Sequence, residues 1–216
     1  MLDNLQVYAI PGLGTDWRIF SQLERFVPLR YLDWLPPEPG ESLSAYAARM
    51  ALPIQGDRVC LMGVSFGGIV AQEIARLREV ERLVIVSGIK DPKEKPLFLR
   101  MFRRLPLYQL SRGRWRVATL PFWGPLFGVR KREEQRLLQA IFARFDDEYR
   151  MWAIRQMANW EGPRPRVPFL HIHGTRDKVF PIRRLSGVTP VAGGTHFLIY
   201  QDAEQVYRYL DTWVKQ

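Results

Sequence analysis

The run Arg58-Val59-Cys60-Leu61-Met62-Gly63-Val64-Ser65-Phe66-Gly67-Gly68-Ile69-Val70-Ala71-Gln72-Glu73-Ile74-Ala75-Arg76-Leu77 changes its hydrophobic rhythm at a single serine. Ahead of Ser65, Arg58–Val64 is a strongly apolar stretch of strand length. Behind it, Phe66–Leu77 places Ile69, Val70, Ile74 and Ala75 at helical spacing, with no loop between. A serine wedged between strand and helix sits on a tight, strained turn, and the glycines at 63, 67 and 68 remove side chains that would collide there. The turn also presents backbone N–H groups at a helix N-terminus, where negative charge is favoured. A Gly-x-Ser-x-Gly match by itself arises by chance in roughly 7% of chains of this length. The strand before it and the helix after it therefore carry the reading, and the alternative is a plain turn that uses glycine only for packing.

Working outward, the same alternation recurs. Gln6–Ile10 reads as a short strand ending at Pro11-Gly12, and Asp16 can cap a helix with Phe20, Leu23 and Val27 on one stripe. Leu29–Trp34 reads as a second strand, closed by Pro36-Pro37-Glu38-Pro39-Gly40. Ser42 or Ser44 opens a helix bearing Leu43, Tyr46, Ala47 and Met50. The continuous apolar run Arg82–Val86 is the pattern of a strand buried on both faces. After a long interval the strands resume at Phe169–His173 and near Val188–Val191. A helix with Ala203, Val206, Tyr207, Leu210 and Val214 on one face follows. The fold class is α/β: a mostly parallel central sheet with helices on both faces.

Between Asp91 and Gly162 the strand signal disappears. The stretch is rich in Arg, Leu, Phe and Trp, and prolines stiffen both of its edges. The expected organisation is a core formed by 1–90 and 163–216, with 91–162 inserted as a helical cap. The aromatics Phe98, Phe102, Tyr108, Trp115, Phe122, Trp123, Phe127, Phe142, Phe145, Trp152 and Trp160 would chiefly pack the cap's own core.

The 216 residues, 47% hydrophobic and 25% charged, suit one globular domain and exclude disorder and fibrous architectures. No apolar run approaches the roughly 18–20 residues that a bilayer span needs. The beginning, Met1-Leu2-Asp3-Asn4-Leu5, has no basic region and does not read as a signal peptide. Cys60 is the single cysteine, which rules out an internal disulfide and agrees with a reducing, cytoplasmic setting. It sits in mid-strand and reads as core.

The net charge of +10 is concentrated. Twelve basic residues lie between Lys90 and Arg132, opposed only by Asp91 and Glu94. Three readings stay open: a solvated face, attraction of an anionic acyl substrate such as a phosphate- or CoA-bearing compound, or peripheral contact with an anionic membrane. Nucleic acid is not expected, because buried-type aromatics interrupt the basic run and no recognition motif accompanies it.

A serine needs a base, and the base needs an acid to orient it. Only three histidines are available. His196, after Gly193-Gly194-Thr195, lies in a glycine-rich loop past the last strand, at the sheet edge where Ser65 sits. Asp177, in His173-Gly174-Thr175-Arg176-Asp177, also lies just past a strand end. His171 and His173 share one face of a strand and could ligate zinc, but no nearby Cys or Glu completes a set. They read as buried strand histidines. Asp33 reads as a loop residue.

Three motifs then occur in order: Gly63-x-Ser65-x-Gly67, His173-Gly174-x-x-Asp177-x-x-x-Pro181 and Gly193-Gly194-x-His196. In these the chain resembles the α/β-hydrolase superfamily, over its whole length apart from the insertion and lacking the first two of the usual eight strands. The resemblance implies Ser65 as nucleophile on a nucleophile elbow, Asp177 as acid and His196 as general base of a catalytic triad. It makes Asp91, after the strand Arg82–Val86, the alternative acid, because some members place it there, and it implies that a few of the cap's aromatics line an apolar cleft above the serine. It implies an oxyanion hole from the N–H groups of Phe66 and Leu13, the latter in Pro11-Gly12-Leu13-Gly14, where many members carry His-Gly-x-Gly. The implied activity is a serine esterase or thioesterase acting on a small acyl substrate, with no metal or organic cofactor. Two other readings use the same scaffold. One is a non-catalytic protein that binds an anionic ligand through the basic cap; the other is a C–C lyase or transferase.

Overall fold

The computed structural model describes residues 5–105, 120–162 and 167–216, and of residues 120–123 only the backbone. Tyr108, Arg112, Arg114, Trp115, Arg116 and the proline-rich exit 163–166 lie outside the described residues, as do the side chains of Phe122 and Trp123.

Six strands, β1 (Gln6–Ile10), β2 (Arg30–Tyr31), β3 (Val59–Val64), β4 (Arg82–Val86), β5 (Phe169–Gly174) and β6 (Thr189–Val191), form one sheet in the order β2-β1-β3-β4-β5-β6. Every pairing is parallel. Side chains alternate across it as the two-residue strand period requires. Tyr8, Ile10, Leu61, Leu83 and Ile85 join the core on one face. There the helices α1 (Leu43–Ala51) and α2 (Phe66–Leu77) pack. Val7, Ala9, Cys60, Met62, Val84 and Val86 join the core on the other, with Phe20, Val206 and Leu210. Cys60 is fully buried there, and burial pushes its thiol up to about 12, so it is a packing residue.

The caps follow the sequence. Asp16 accepts from the Arg18 amide at 3.1 Å, and Ser42 accepts from the Ala45 amide at 3.2 Å. Two expectations change in extent. The helix capped by Asp16 is a 3-10 turn, Trp17–Phe20, followed by further turns. The strand expected over Leu29–Trp34 shrinks to Arg30–Tyr31, because its last ladder bond is Leu32 N to Ala9 O. Beyond it the Trp34 indole turns to the carbonyls of Gly12 and Thr15, and the Tyr46 hydroxyl captures Leu35.

Between β4 and β5 the described elements are all helical: a 3-10 turn at Pro92–Glu94, then α3 (Leu97–Arg104), α4 (Leu120–Phe127), α5 (Arg132–Phe142) and α6 (Asp147–Asn159). Asp146 caps α6 through the Tyr149 amide. After β6 come the short α7 (Leu198–Gln201) and α8 (Ala203–Val214). The chain winds outward from β1 to β2 and then reverses to β3. The crevice at the carboxyl ends of β1 and β3 is therefore the topological switch point where α/β sheets take ligands.

Candidate active site

Ser65 follows β3 directly and precedes α2, with φ 54° and ψ −115°. A non-glycine residue there carries about 1–3 kcal/mol of backbone strain, held in place by its surroundings. Its amide donates to Val86 O at 2.9 Å. The neighbouring glycines are steric necessities. A methyl on Gly63 would meet Gly67 O at 2.3 Å, and one on Gly67 would meet Pro11 O at 2.3 Å. The elbow is thus wedged against the end of β1, where a Gly12 methyl would lie 3.6 Å from Ser65 Cβ.

Asp177 and His196 reach Ser65 from two other strand ends. Gly174 closes β5, and a methyl there would meet Gly194 O at 2.3 Å, so the two loops touch backbone to backbone. His196 Nε2 lies 3.1 Å from Ser65 Oγ, and its Nδ1 lies 2.8 Å from Asp177 Oδ2. Because Oδ2 can only accept from the ring, Nδ1 carries the hydrogen and Nε2 offers a lone pair to the serine hydroxyl. The other carboxylate oxygen of Asp177 accepts from the amides of Val179 at 2.8 Å and Phe180 at 2.9 Å. Burial alone would raise the Asp177 pKa. The charge of His196 and the hydrogen bonds from His173 and His196 outweigh it and hold the carboxyl well below the usual carboxylate range. Asp91, the alternative acid, instead accepts from the Lys93 amide at 2.8 Å.

His173 goes beyond the buried strand residue its position suggests. Its Nε2 lies 2.8 Å from Phe180 O and 3.2 Å from Asp177 Oδ2, both acceptors, so this nitrogen carries the hydrogen and steadies the carboxylate. The His-Gly-x-x-Asp spacing was the available signal. His171, fully buried one turn of the pleat away, lies 3.1 Å from Gly88 O through Nε2. Burial first, then the charges of His173 and Lys90, bring it down to about 4. Both Nε2 atoms thus face backbone carbonyls, and the two rings meet edge to face at 5.7 Å. Among the described residues, no group of three or more His, Cys, Asp and Glu side chains gathers into a metal-binding cluster.

The loop after β1 was readable only as Pro11-Gly12-Leu13-Gly14; its fastening was not. The Gly12 carbonyl accepts from Thr15 N at 3.0 Å, Thr15 Oγ1 at 2.8 Å and Trp34 Nε1 at 3.2 Å. In a trans peptide the Leu13 N–H points opposite to that carbonyl, so these donors fix its direction. Phe66, the first residue of α2, contributes an N–H that has no partner within the first helical turn. Its ring stacks on Trp34 at 5.4 Å.

Above these groups lies a cavity of ≈ 620 Å³, lined by Gly12, Leu13, Ser65 and His196 from the sheet edge. Phe98, Phe102, Phe127, Phe142, Phe145 and Met157 line it from the helical segment, and among the described residues Arg150 is its one lysine or arginine. Phe127 and Phe180 flank the His196 ring at 5.5 and 5.6 Å. A methyl on Gly128 would strike Thr195, and Gln201 ties the Gly128 carbonyl, Glu134 and the Thr195 hydroxyl together. The helical segment therefore buttresses the loop that carries His196.

A model of the alpha/beta hydrolase family matches residues 7–209. The chain belongs to the alpha/beta hydrolase family. Solved structures agree on the fold. An esterase from Thermogutta terrifontis superposes with a TM-score of 0.74 at 18% identity, over 98% of this chain and 89% of its own. An epoxide hydrolase from Bacillus megaterium does so at 0.75 and 13%, over 98% and 94%. MenH from S. aureus does so at 0.73 and 18%, over 97% and 93%. A search of curated proteins finds no match. This alpha/beta hydrolase has six strands among its described residues, against the eight usual in the family, and none of its described helices is long and apolar enough to cross a membrane.

Proposed function

We propose that this chain is a serine hydrolase that cleaves an ester, thioester or related acyl bond through an acyl-enzyme on Ser65. The observation that carries the reading is the line Ser65 Oγ–His196 Nε2–His196 Nδ1–Asp177 Oδ2, with gaps of 3.1 and 2.8 Å, at the floor of an apolar cavity. Ser65 Oγ attacks the carbonyl carbon as its proton passes to His196 Nε2. The carbonyl's π electrons move onto oxygen, where the N–H groups of Leu13 and Phe66 receive them; such a donor is worth about 2.7–4 kcal/mol. Collapse expels the alcohol or thiol, which takes the proton from Nε2. Water then attacks the acyl carbon, gives a proton to Nε2, and the second collapse returns it to Ser65 as the acid leaves. Asp177 holds the imidazole tautomer and stabilises the imidazolium throughout.

The cavity's phenylalanines favour an apolar or aromatic acyl group. A fluorophosphonate probe tests the proposal. It labels the native protein with one adduct, Ser65→Ala abolishes the labelling, and the native protein releases p-nitrophenol from p-nitrophenyl esters. A folded native protein that is neither labelled nor hydrolytic overturns it and leaves the binding-protein reading. Labelling without hydrolysis on a panel of esters, thioesters and lactones turns the reading to lyase or transferase chemistry.

A further inference from the structure

We propose that helix α3 and the basic groove beside it form a docking surface for an anionic phospholipid bilayer, seating the mouth of the Ser65 cavity against the membrane. Eight large apolar side chains are strongly exposed among the described residues, and four of them fall within nine positions: Leu97, Phe98, Met101 and Leu105. Leu97, Met101 and Leu105 are 62%, 45% and 56% exposed and follow one another at four-residue intervals, so they form a single outward stripe. Basic residues flank that stripe: Arg100 and Arg104 on α3 and Lys93 just before it, all exposed. α3 itself contains no acidic residue.

A groove of ≈ 770 Å³ runs along this side, with Lys93, Arg100, Arg103 and Arg104 on its walls. Its one acid among the described residues, Glu161, is already engaged by Arg103. An exposed apolar stripe between guanidinium groups matches the chemistry of a lipid interface, where acyl chains lie beneath phosphates. A purely polyanionic partner would leave the stripe in water. The opposite side of the same helix supplies Leu99 and Phe102 to the Ser65 cavity, with Phe98 at the border between stripe and cavity. One helix thus joins the bilayer side to the reaction side. Docking stands on the surface alone, and only the supply of acyl substrate from the lipid rests on the proposed hydrolysis.

Co-sedimentation of the full chain with phosphatidylcholine vesicles, with and without phosphatidylglycerol, tests this. Native protein and Ser65→Ala are expected to partition roughly tenfold more strongly onto the anionic vesicles, with the preference eroded by salt. The triple substitution Leu97→Ser, Met101→Ser, Leu105→Ser lowers partition on both vesicle types. Arg100→Gln with Arg104→Gln removes the preference for phosphatidylglycerol. Circular dichroism shows that each variant is folded, and hydrolysis of p-nitrophenyl acetate in solution stays within about twofold of native, since neither set lines the cavity. The proposal is overturned if the native protein ignores anionic vesicles or if both folded variants bind them as well as it does. It is also overturned, in favour of an acidic protein surface, if poly-glutamate retains the protein while vesicles do not. Vesicle binding with no esterase activity leaves docking standing and sinks only the hydrolase reading.

Discussion

The carboxyl edge of the sheet and the helical segment above it are held by different kinds of contact. At the sheet edge, backbone meets backbone: methyls at Gly67 and Gly174 would each lie 2.3 Å from a carbonyl oxygen of a separate loop. In the helical segment, side chains make the connection. Trp152 packs on Tyr46 with ring centroids 4.3 Å apart, Trp160 Nε1 donates to Glu73 at 2.9 Å, and Lys95 Nζ donates to Ala158 O at 2.9 Å. Backbone contacts leave no slack, because neither partner has a rotamer to change. Side-chain contacts tolerate exchange at similar volume. In the proposed reaction the first region fixes the reacting atoms and the second shapes what reaches them.

The sharpest way to break that division is at Ser65, the proposed nucleophile. Ser65→Ala is expected to lower kcat/KM for p-nitrophenyl esters on the order of 10⁴-fold or more while leaving the fold intact. A loss below about tenfold, with an unchanged circular dichroism spectrum, would place the chemistry elsewhere.

Next in size is a matched pair of glycine substitutions. Gly67→Ala drives a methyl into the Pro11 and Ile10 carbonyls, at 2.3 and 2.4 Å, and is expected to destabilise by about 3 kcal/mol or more. In a chain of this size that lowers Tm by roughly 6–12 °C. Gly124→Ala, inside α4, meets among the described residues only Val129 O at 3.6 Å, and alanine is the better helix former. It is expected to leave Tm unchanged or raise it slightly. Equal losses measured by differential scanning calorimetry would erase the contrast between the two regions.

A third test concerns pH. Burial holds His171 at about 4 in the folded chain, against an ordinary value of 6.5. The unfolded chain therefore binds more protons between these values. The stability this histidine supports is complete above about pH 6.5 and is lost as pH falls toward 4, by about 3 kcal/mol in all. The depressed Asp177 extends the loss at still lower pH. His171→Gln can still donate to the Gly88 carbonyl but cannot take a proton. Urea denaturation of the variant should show a flatter profile between pH 7 and 4. An equally steep profile would assign the acid loss to other groups.

Much of the sheet edge was legible because its constraints are local. Glycines at 63 and 67 around Ser65, and Gly194 before His196, mark places where two backbones come close, while Gly193 marks a left-handed turn with φ 77°, and such marks survive in one dimension. The strand β2 was overextended because its end is decided by Trp34 and Tyr46, partners that lie outside the strand pattern. The role of His173 beside Asp177, and the fastening of the Gly12 carbonyl by Thr15 and Trp34, were hidden for the same reason. They depend on which loops the sheet order brings together. In the helical segment, the aromatic content could be counted, but which rings face Ser65 depends on the angles at which α3, α5 and α6 pack, and helical periodicity does not encode these.

The smallest expected effect tests the segment's share directly. Phe102 lies on the cavity side of α3, half-buried, with its ring edge-on to Phe98 at 5.8 Å. Truncating it to alanine removes apolar surface from the cavity wall that the helical segment supplies, which a long acyl chain would use more than a short one, and it leaves Ser65, His196 and Asp177 untouched. Phe102→Ala should therefore lower kcat/KM for a p-nitrophenyl octanoate about tenfold, and that for the acetate by no more than about twofold. The change in ratio is the informative quantity, since a general loosening of the fold would lower both rates together. If acetate falls as far as octanoate, the helical segment is holding the reacting groups as well as selecting the acyl chain, and side-chain packing does part of what is here assigned to backbone contact.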